Sequence, residues 1–294
     1  MASHTDVPSL NPIEDAALGP ALAAKYARLR ATVQALGSVL VAYSGGVDSA
    51  LLLKVAHDEL GDQALGALAI SPAYDDEETA AALAVAAGMG ISVVTVATHE
   101  MENPAYVANG PDRCFHCKDE LFDRLAPLAA ARGLAHIAYG VNRDDLGDYR
   151  PGQKAARQHG VQGPLLDAEM GKDDIRALAQ HLGVPVWNKP ALACYSSRIP
   201  YGTTVTVAAL RRVGQAERLV RSFGFARVRV RHHDSIARIE VDAADLPRII
   251  QPEVREPIER GLRELGYLYV TLDLRGYRMG SLNESLRPTR AATI

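Results

Sequence analysis

The sequence has no apolar run approaching the roughly 20 residues needed to cross a bilayer, and its opening stretch, MASHTDVPSLNPIEDAALGP, lacks the basic start and apolar core of a secretory leader. No membrane contact and a cytoplasmic location are therefore expected, with residues 1–22 read as a flexible lead-in. There is no surplus of positive charge: 32 Lys and Arg stand against 35 Asp and Glu, a net charge of −3. A dedicated nucleic-acid binder would favour a basic domain, so no nucleic-acid partner is expected. Cysteine is scarce. Three residues cannot form a full disulfide set, and without an export signal thiol chemistry or a metal is the first use to consider.

What is present is an ordinary globular composition, 48% apolar and 23% charged, over 294 residues. That length supports one large core or two modest ones without staples. From Ser38 to about Val186 short aliphatic runs (Val39 to Tyr43, Leu65 to Ile70, Ser92 to Ala97, His136 to Tyr139) alternate with helical stretches such as Val47 to Leu60 and Glu77 to Ala87. This pattern predicts an α/β fold with a doubly wound parallel sheet and a ligand at the carboxyl ends of its strands. After the Pro200-Tyr201-Gly202 turn, a helix (Val207 to Ser222), two strands (Arg227 to His232, Ile236 to Val241), a helix (Glu253 to Leu265) and a strand (Leu268 to Leu274) predict a smaller α+β domain.

At the end of the first predicted strand stands Ser44-Gly45-Gly46-Val47-Asp48-Ser49. Adjacent glycines let backbone approach an anion, and the helix that follows offers free N–H groups and a partial positive charge. The turn has no Walker A lysine, which disfavours γ-phosphoryl transfer. Strand, glycines, Asp and Ser in this order resemble the PP-loop of the ATP pyrophosphatase superfamily, whose members cut ATP between the α and β phosphates. The resemblance implies that Ser44, Gly45, Gly46 and Ser49 hold pyrophosphate while Asp48 places Mg2+.

Two further segments narrow the likeness. One is Gly140-Val141-Asn142-Arg143-Asp144-Asp145-Leu146-Gly147-Asp148-Tyr149-Arg150-Pro151-Gly152, at another strand end, where Asp145 and Arg150 are candidate substrate contacts. The other is Ala193-Cys194-Tyr195-Ser196-Ser197-Arg198. With Val228 to His233, these segments resemble the LarE family of ATP-dependent sulfur insertases of nickel-pincer cofactor biosynthesis, over about Val39 to Asn283. The resemblance implies a PP-loop domain over 23–200, a substrate-binding or oligomerisation domain over 203–287 and a frayed tail over 288–294. It also implies a homo-oligomer and a small-molecule substrate, a nicotinate-derived pyridinium-3,5-dicarboxylate mononucleotide. Its carboxylates would be adenylated and converted to thiocarboxylates with sulfide or another sulfur donor, for the cofactor of lactate racemase. Ser197 and Arg198 would lie by the nucleotide.

Cys114 and Cys117 form a C-x-x-C at the head of a predicted helix running to Ala131, and Cys194 is the third thiol. By itself the pair fits a redox dithiol, half a zinc site with His116, or part of an iron–sulfur site. Arg113, Lys118 and Arg198 beside the thiols are expected to favour thiolates. Within the family, members with these three cysteines are expected to hold a [4Fe-4S] cluster on Cys114, Cys117 and Cys194, whereas others give up the sulfur of the residue at Cys194. A tRNA-thiolating PP-loop enzyme is the rival reading.

Arg227, Arg229 and Arg231 recur at period two and should share one sheet face. Such a row suits capture of phosphate or carboxylate, with Arg229 and Arg231 as the substrate candidates. Glu217 and Glu240 are placed to pair with them or to hold a metal. Arg278 is a further candidate.

Overall fold

The computed structural model describes residues 18–147, 151–190, 193–278 and 280–286. Helix α1 (Pro20–Leu36) opens on a proline, whose missing N–H costs nothing at a first helical position. It therefore starts inside the stretch read as lead-in. There follow β1 (Val39–Tyr43), α2 (Val47–Leu60), β2 (Ala64–Ile70), α3 (Asp76–Gly88), β3 (Val93–Ala97), α4 (Pro104–Val107), α5 (Arg113–Ala131) and β4 (His136–Tyr139). Short helices α6 (Gly152–Gln158) and α7 (Pro164–Asp167) lead to α8 (Lys172–His181).

These strands form a parallel sheet in the order β3-β2-β1-β4. β1 is buried along its whole length, as its unbroken apolar run requires of a central parallel strand. Alternate side chains serve two cores: Val39, Val41 and Tyr43 pack with α1, α2 and α8, while Leu40 and Ala42 pack with Phe122 and Leu125 of α5. The sheet is thus covered on both faces, as the doubly wound pattern predicts. Gly66 makes one of these contacts possible, since a Cβ there would lie 2.7 Å from Val93 Cγ2 and 3.0 Å from Leu53 Cδ2. Strand order reverses between β1 and β4, which opens a crevice at their carboxyl ends.

The rest of the chain forms α9 (Val207–Ser222), β5 (Val228–His233), β6 (Ile236–Val241), α10 (Leu246–Ile249), α11 (Pro252–Glu264) and β7 (Tyr269–Leu272). Thr206 caps α9 by accepting a hydrogen bond from Ala209 N. β5 pairs antiparallel with β6, and β6 parallel with β7. β5 begins at Val228, so Arg227 lies outside the strand, half exposed, 3.4 Å from Asp242. The expected row of three arginines is therefore two, Arg229 and Arg231, both buried. No helix among the described residues is long and apolar enough to cross a membrane.

The two sheets are joined through the segment 193–205. Tyr195 N donates to Ala73 O and Val205 N to Val107 O, each at 2.9 Å. Asn109 Nδ2 donates to Pro200 O and Thr203 O, each at 2.8 Å. Ala73 and Tyr106 share an apolar cluster with Tyr195, Ile199 and Leu210, so the junction is packed rather than hinged. Its polar centre is a bidentate pair in which Arg198 Nε and Nη2 donate to Glu217 at 2.7 and 3.0 Å, with both side chains essentially inaccessible. Burial alone would raise the Glu217 pKa, but Arg198, then Arg229 and Arg221, hold it below the usual carboxylate range.

Removing one partner strands a buried charge, so Glu217→Ala is expected to cost about 3–5 kcal/mol. The measurement is the urea midpoint at unchanged slope; an apolar double replacement, Arg198→Met with Glu217→Leu, should recover much of the loss. The depressed carboxyl pKa sets the sign with pH: the stabilisation is present above the ordinary carboxylate pKa and is lost as pH falls through the lowered value.

Candidate active site

The Ser-Gly-Gly turn sits where β1 runs into α2, at the mouth of the crevice. Gly45 has φ +72°, and a Cβ there would lie 2.5 Å from Ala82 Cβ, so only glycine fits. The first helical bond of the turn is Ala50 N to Gly46 O at 2.9 Å, and the preceding amides face the crevice mouth. Ser49 Oγ donates to Gly46 O and accepts from Ser44 N, each at 3.1 Å, and lies 3.0 Å from Ser44 Oγ. The two hydroxyls thus brace the loop that should carry an anion. A cleft runs from this loop past Leu68, Ala69 and Tyr74 to Lys118, Tyr195 and Arg198.

Beside the loop, Gly140 lets β4 pass close to α2, since a Cβ there would be 2.9 Å from Ser49 N. The turn after it is knit locally: Asn142 N donates to Asp145 Oδ2 at 3.1 Å, and Asp144 N to Asn142 Oδ1 at 3.0 Å. Asp145 therefore shapes the turn at the site's rim. Arg150, the other candidate in this segment, lies outside the described residues. Asp144 Oδ2 accepts from Lys172 N at 2.7 Å, which seats the head of α8 against the turn. Lys172 Nζ reaches across to Asp48 Oδ1 at 2.7 Å and Oδ2 at 2.5 Å. Asp48 already grips a cation in this structure, so its carboxylate fits a metal-holding role and Lys172 fits a phosphate-facing one.

The three thiols form one chamber. Cys117 and Cys194 both pack against the cluster of Tyr106, Tyr195 and Ile199, and Cys114 lies one turn before Cys117 at the head of α5. Arg113 ties the parts together, its Nη1 donating to Ser196 O at 2.8 Å. Burial first, then the neighbouring Cys194, push the Cys117 thiol up to about 12. Cys114 is reachable by solvent on one side, yet the protein crowding its other sides, and after that Cys194, raise its pKa too. This corrects the expected thiolate bias at these two positions: Arg113 and Lys118 do pull the values down, but desolvation outweighs them.

Cys194 acts on both Cys114 and Cys117, and Cys114 on Cys117, although among the described residues no three His, Cys, Asp or Glu side chains converge tightly enough to hold a single metal ion. A zinc site with His116 is thus not preformed; His116 faces Asp112 at 3.3 Å. Three thiols are the donor type that an iron–sulfur cluster takes.

The arginines and glutamates of the second sheet hold the cysteine segment in place. Arg198 Nη1 donates to Ala193 O at 2.7 Å and Cys194 O at 3.0 Å. Arg231 donates to Glu240 at 2.9 and 2.7 Å, to Ser281 Oγ at 2.8 Å and to Ser197 O at 2.8 Å. Ser197 Oγ donates to Cys194 O at 2.8 Å and so closes the turn. Glu217 Oε1 accepts from Val230 N at 3.1 Å, covering the open edge of β5. Glu217 and Glu240 are therefore partners of arginine in this structure. Arg229 is set apart by its electrostatics: burial, then Arg198, lower its pKa to about 10. It remains a cation at neutral pH, but one crowded by like charge and suited to an incoming anion. Arg278 pairs with Asp273 at 3.3 Å and with Glu284 at 3.4 Å.

Sequence reasoning missed Lys172, Tyr74 and Glu100. Lys172 follows Met170-Gly171 in a stretch without a motif, though Gly-Lys-Asp-Asp at a helix start was a legible sign of a helix head. Nothing in the sequence marks Tyr74, which reaches the cleft only through folding, or the burial of Glu100.

Residues 22–117 match the family model described as NAD synthase. The chain is 45% identical over 90% of its length to an uncharacterized protein of Synechocystis, of which it covers 99%. It is 41% identical over 93% of its length to the pyridinium-3,5-bisthiocarboxylic acid mononucleotide synthase of Lactiplantibacillus plantarum, of which it also covers 99%. An uncharacterized protein of Methanocaldococcus jannaschii is 26% identical over 82% of the chain and 90% of that protein.

Raised thiol pKa values mean little thiolate at neutral pH and slow alkylation. In the metal-free protein at pH 7.5, Cys117 should react more slowly than Cys114 with iodoacetamide, and its rate should climb steadily with pH. Peptide mass mapping reads the order, and Cys117 labelling first would contradict the assignment.

Proposed function

The chain belongs to the LarE family of PP-loop enzymes, and from that premise we propose that it adenylates the carboxylates of a pyridinium-3,5-dicarboxylate mononucleotide and replaces an oxygen of each with sulfur. That it is an ATP-using enzyme follows from the family; the sulfur chemistry is supported by the three thiols gathered beside the nucleotide cleft. This gathering, with Cys117 and Cys194 against one apolar cluster and their neighbours Lys118, Ala193 and Tyr195 lining the same cleft as Ser44 and Gly46, is the observation that carries the reading.

In this reading ATP lies along the cleft with its β and γ phosphates on the amides at the head of α2, where Ser44 and Ser49 keep the loop open. A substrate carboxylate oxygen attacks the α phosphorus, and pyrophosphate leaves. Lys172 moves from Asp48 to the phosphates as charge develops there, and Asp48 is freed for Mg2+. When bound, Mg2+ screens the phosphate oxygens and steadies the leaving pyrophosphate. The acyl adenylate now has a good leaving group, since AMP departs with the carboxyl oxygen as sulfide sulfur bonds to the carbon. Arg229 binds the substrate's phosphate or second carboxylate, for which its crowded positive charge suits it. Arg231 and Glu240 position the Ser196–Arg198 turn.

For sulfur delivery, Cys114, Cys117 and Cys194 would hold a [4Fe-4S] cluster, which would supply iron to carry the transferable sulfide. The product serves the nickel-pincer cofactor of lactate racemase. Self-association is part of the reading, supported by exposed Leu268 and Tyr269 at the edge strand β7.

The test is an anaerobic assay with ATP, the dicarboxylate mononucleotide and sulfide, following AMP and product mass together. The wild type should gain one sulfur for each oxygen lost, over many turnovers and with Cys194 intact. Cys194→Ser should still release pyrophosphate while losing the sulfur product, and Lys172→Met should slow pyrophosphate release on the order of a hundredfold. Loss of sulfur from Cys194 itself after one turnover would replace cluster delivery with sacrificial donation. Thiolation of tRNA in place of the mononucleotide would overturn the substrate.

A further inference from the structure

Helix α9 ends beside the nucleotide cleft, and Arg221 in its last turn lines that cleft together with Ser44, Gly46, Tyr195 and Arg198. Its side chain is 27% exposed. It also borders an open groove between α3 and α9, with Asp75, Glu78 and Arg218, so it stands where groove and cleft meet.

The carboxylates around it are already matched. Asp75 accepts from Arg218 Nη1 at 2.6 Å and from the Tyr195 phenol at 2.5 Å. Glu78 accepts from Lys189 Nζ at 2.8 Å. Glu217 takes the fork of Arg198 on its two oxygens and Val230 N besides. Arg221 Nη2 donates to Glu217 Oε2 at 2.8 Å, a second cation on a carboxylate whose charge Arg198 already balances. Its Nε and Nη1 make no hydrogen bond among the described residues. Arg198 is committed elsewhere, its Nη1 donating to Ala193 O, Cys194 O and Ser197 Oγ. Lys118 is a further cation of the wall, but a point charge without a planar fork. Arg221 is thus the guanidinium of the cleft that has donors to spare for a ligand.

The cleft has to hold more than one anion. ATP brings its phosphates to the loop at the head of α2, and a dicarboxylate ring presents one carboxylate to the α phosphorus. Because that ring is rigid, its other carboxylate stays within the same cleft, where it needs a cation to hold it against the negative field of the phosphates. A guanidinium meets a carboxylate through two parallel N–H bonds, which fixes direction as well as place.

We propose that Arg221 binds the substrate carboxylate that is not reacting and so turns the other toward the nucleotide. The inference rests on the substrate reading above and deepens it: the second carboxylate goes to Arg221 and the phosphate to Arg229. Once the first carboxylate has become a thiocarboxylate, the ring turns over, and Arg221 holds this new anion while the second carboxylate is activated.

The experiment uses the full chain as wild type, Arg221→Ala and Arg221→Lys. Glu217 keeps Arg198 and Val230 N in each variant, and a part-exposed pair four residues apart on a helix adds little stability, so the variants are expected to fold. Calorimetry measures the binding of α,β-methylene-ATP, which cannot release pyrophosphate, and then, with this analogue present, of two mononucleotides. One is the pyridinium-3,5-dicarboxylate mononucleotide; the other is nicotinamide mononucleotide, which has the ring and phosphate without a carboxylate. Arg221→Ala should weaken the dicarboxylate on the order of thirtyfold and leave the other two ligands as in the wild type. Arg221→Lys should regain part of the loss. In turnover the KM for the dicarboxylate should rise by a similar factor with kcat kept, as loss of uniform binding requires. Dicarboxylate affinity equal to the wild type in Arg221→Ala would overturn the proposal. So would an equal loss for nicotinamide mononucleotide, which would give Arg221 the phosphate or the shape of the cleft, and so would a loss for the ATP analogue, which would make it a nucleotide contact. A wild-type protein that binds the ATP analogue but not the dicarboxylate would overturn the underlying substrate reading and the proposal with it, a failure that the wild type alone reveals.

Discussion

The buried fork between Arg198 and Glu217 is the interaction on which the site depends. It joins a turn that carries Cys194 to a helix of the second sheet, and the same guanidinium fixes the carbonyls of Ala193 and Cys194. A buried pair of this kind gives little net stability over apolar packing, but it specifies one arrangement, because any other leaves a charge unmatched. Here the arrangement specified is the position of a thiol beside a nucleotide cleft. Arg231 and Glu240 repeat the device one strand pair away and hold Ser197 from the other side.

The molecule therefore separates two tasks. The parallel sheet presents backbone amides, two hydroxyls and Asp48 at the point where strand order reverses, a geometry for polyphosphate. The head of α5 and the segment before the second sheet present sulfur. Apolar packing of Ala73 and Tyr106 against Tyr195 and Leu210 joins the two without a loose hinge, so activation of a carboxylate and attack by sulfur can take place in one enclosed region. Enclosure has an electrostatic cost, visible as thiols raised at Cys114 and Cys117 and an arginine lowered at Arg229. The proposed metal group at the thiols and the proposed anion at the arginine would each relieve it.

Much of the fold was legible because the sheet rests on local signals. Val39 to Tyr43 is an unbroken apolar run bounded by a glycine turn, and both its limits and its parallel neighbours agree with the structure. The two stretches that sequence marks as candidates, Ser44 to Ser49 and Gly140 to Asp145, are glycine-marked turns at strand ends, where backbone shape is written directly in residue type. Lys172 was not legible, because its partner Asp48 is 124 positions away and no spacing rule links them. Arg227 shows the limit of period-two counting: the alternation continued one residue past the strand's true start. Thiol protonation also escaped, since neighbouring cations are visible in sequence and desolvation is not.

The central claim is that a carboxyl oxygen becomes part of AMP before sulfur takes its place. The direct measurement is the fate of label from substrate bearing 18O in its carboxylates, turned over with ATP and sulfide under anaerobic conditions. The account predicts AMP carrying one labelled oxygen for each thiocarboxylate formed. Unlabelled AMP accompanying the sulfur product, or release of ADP and phosphate in place of AMP and pyrophosphate, would contradict it.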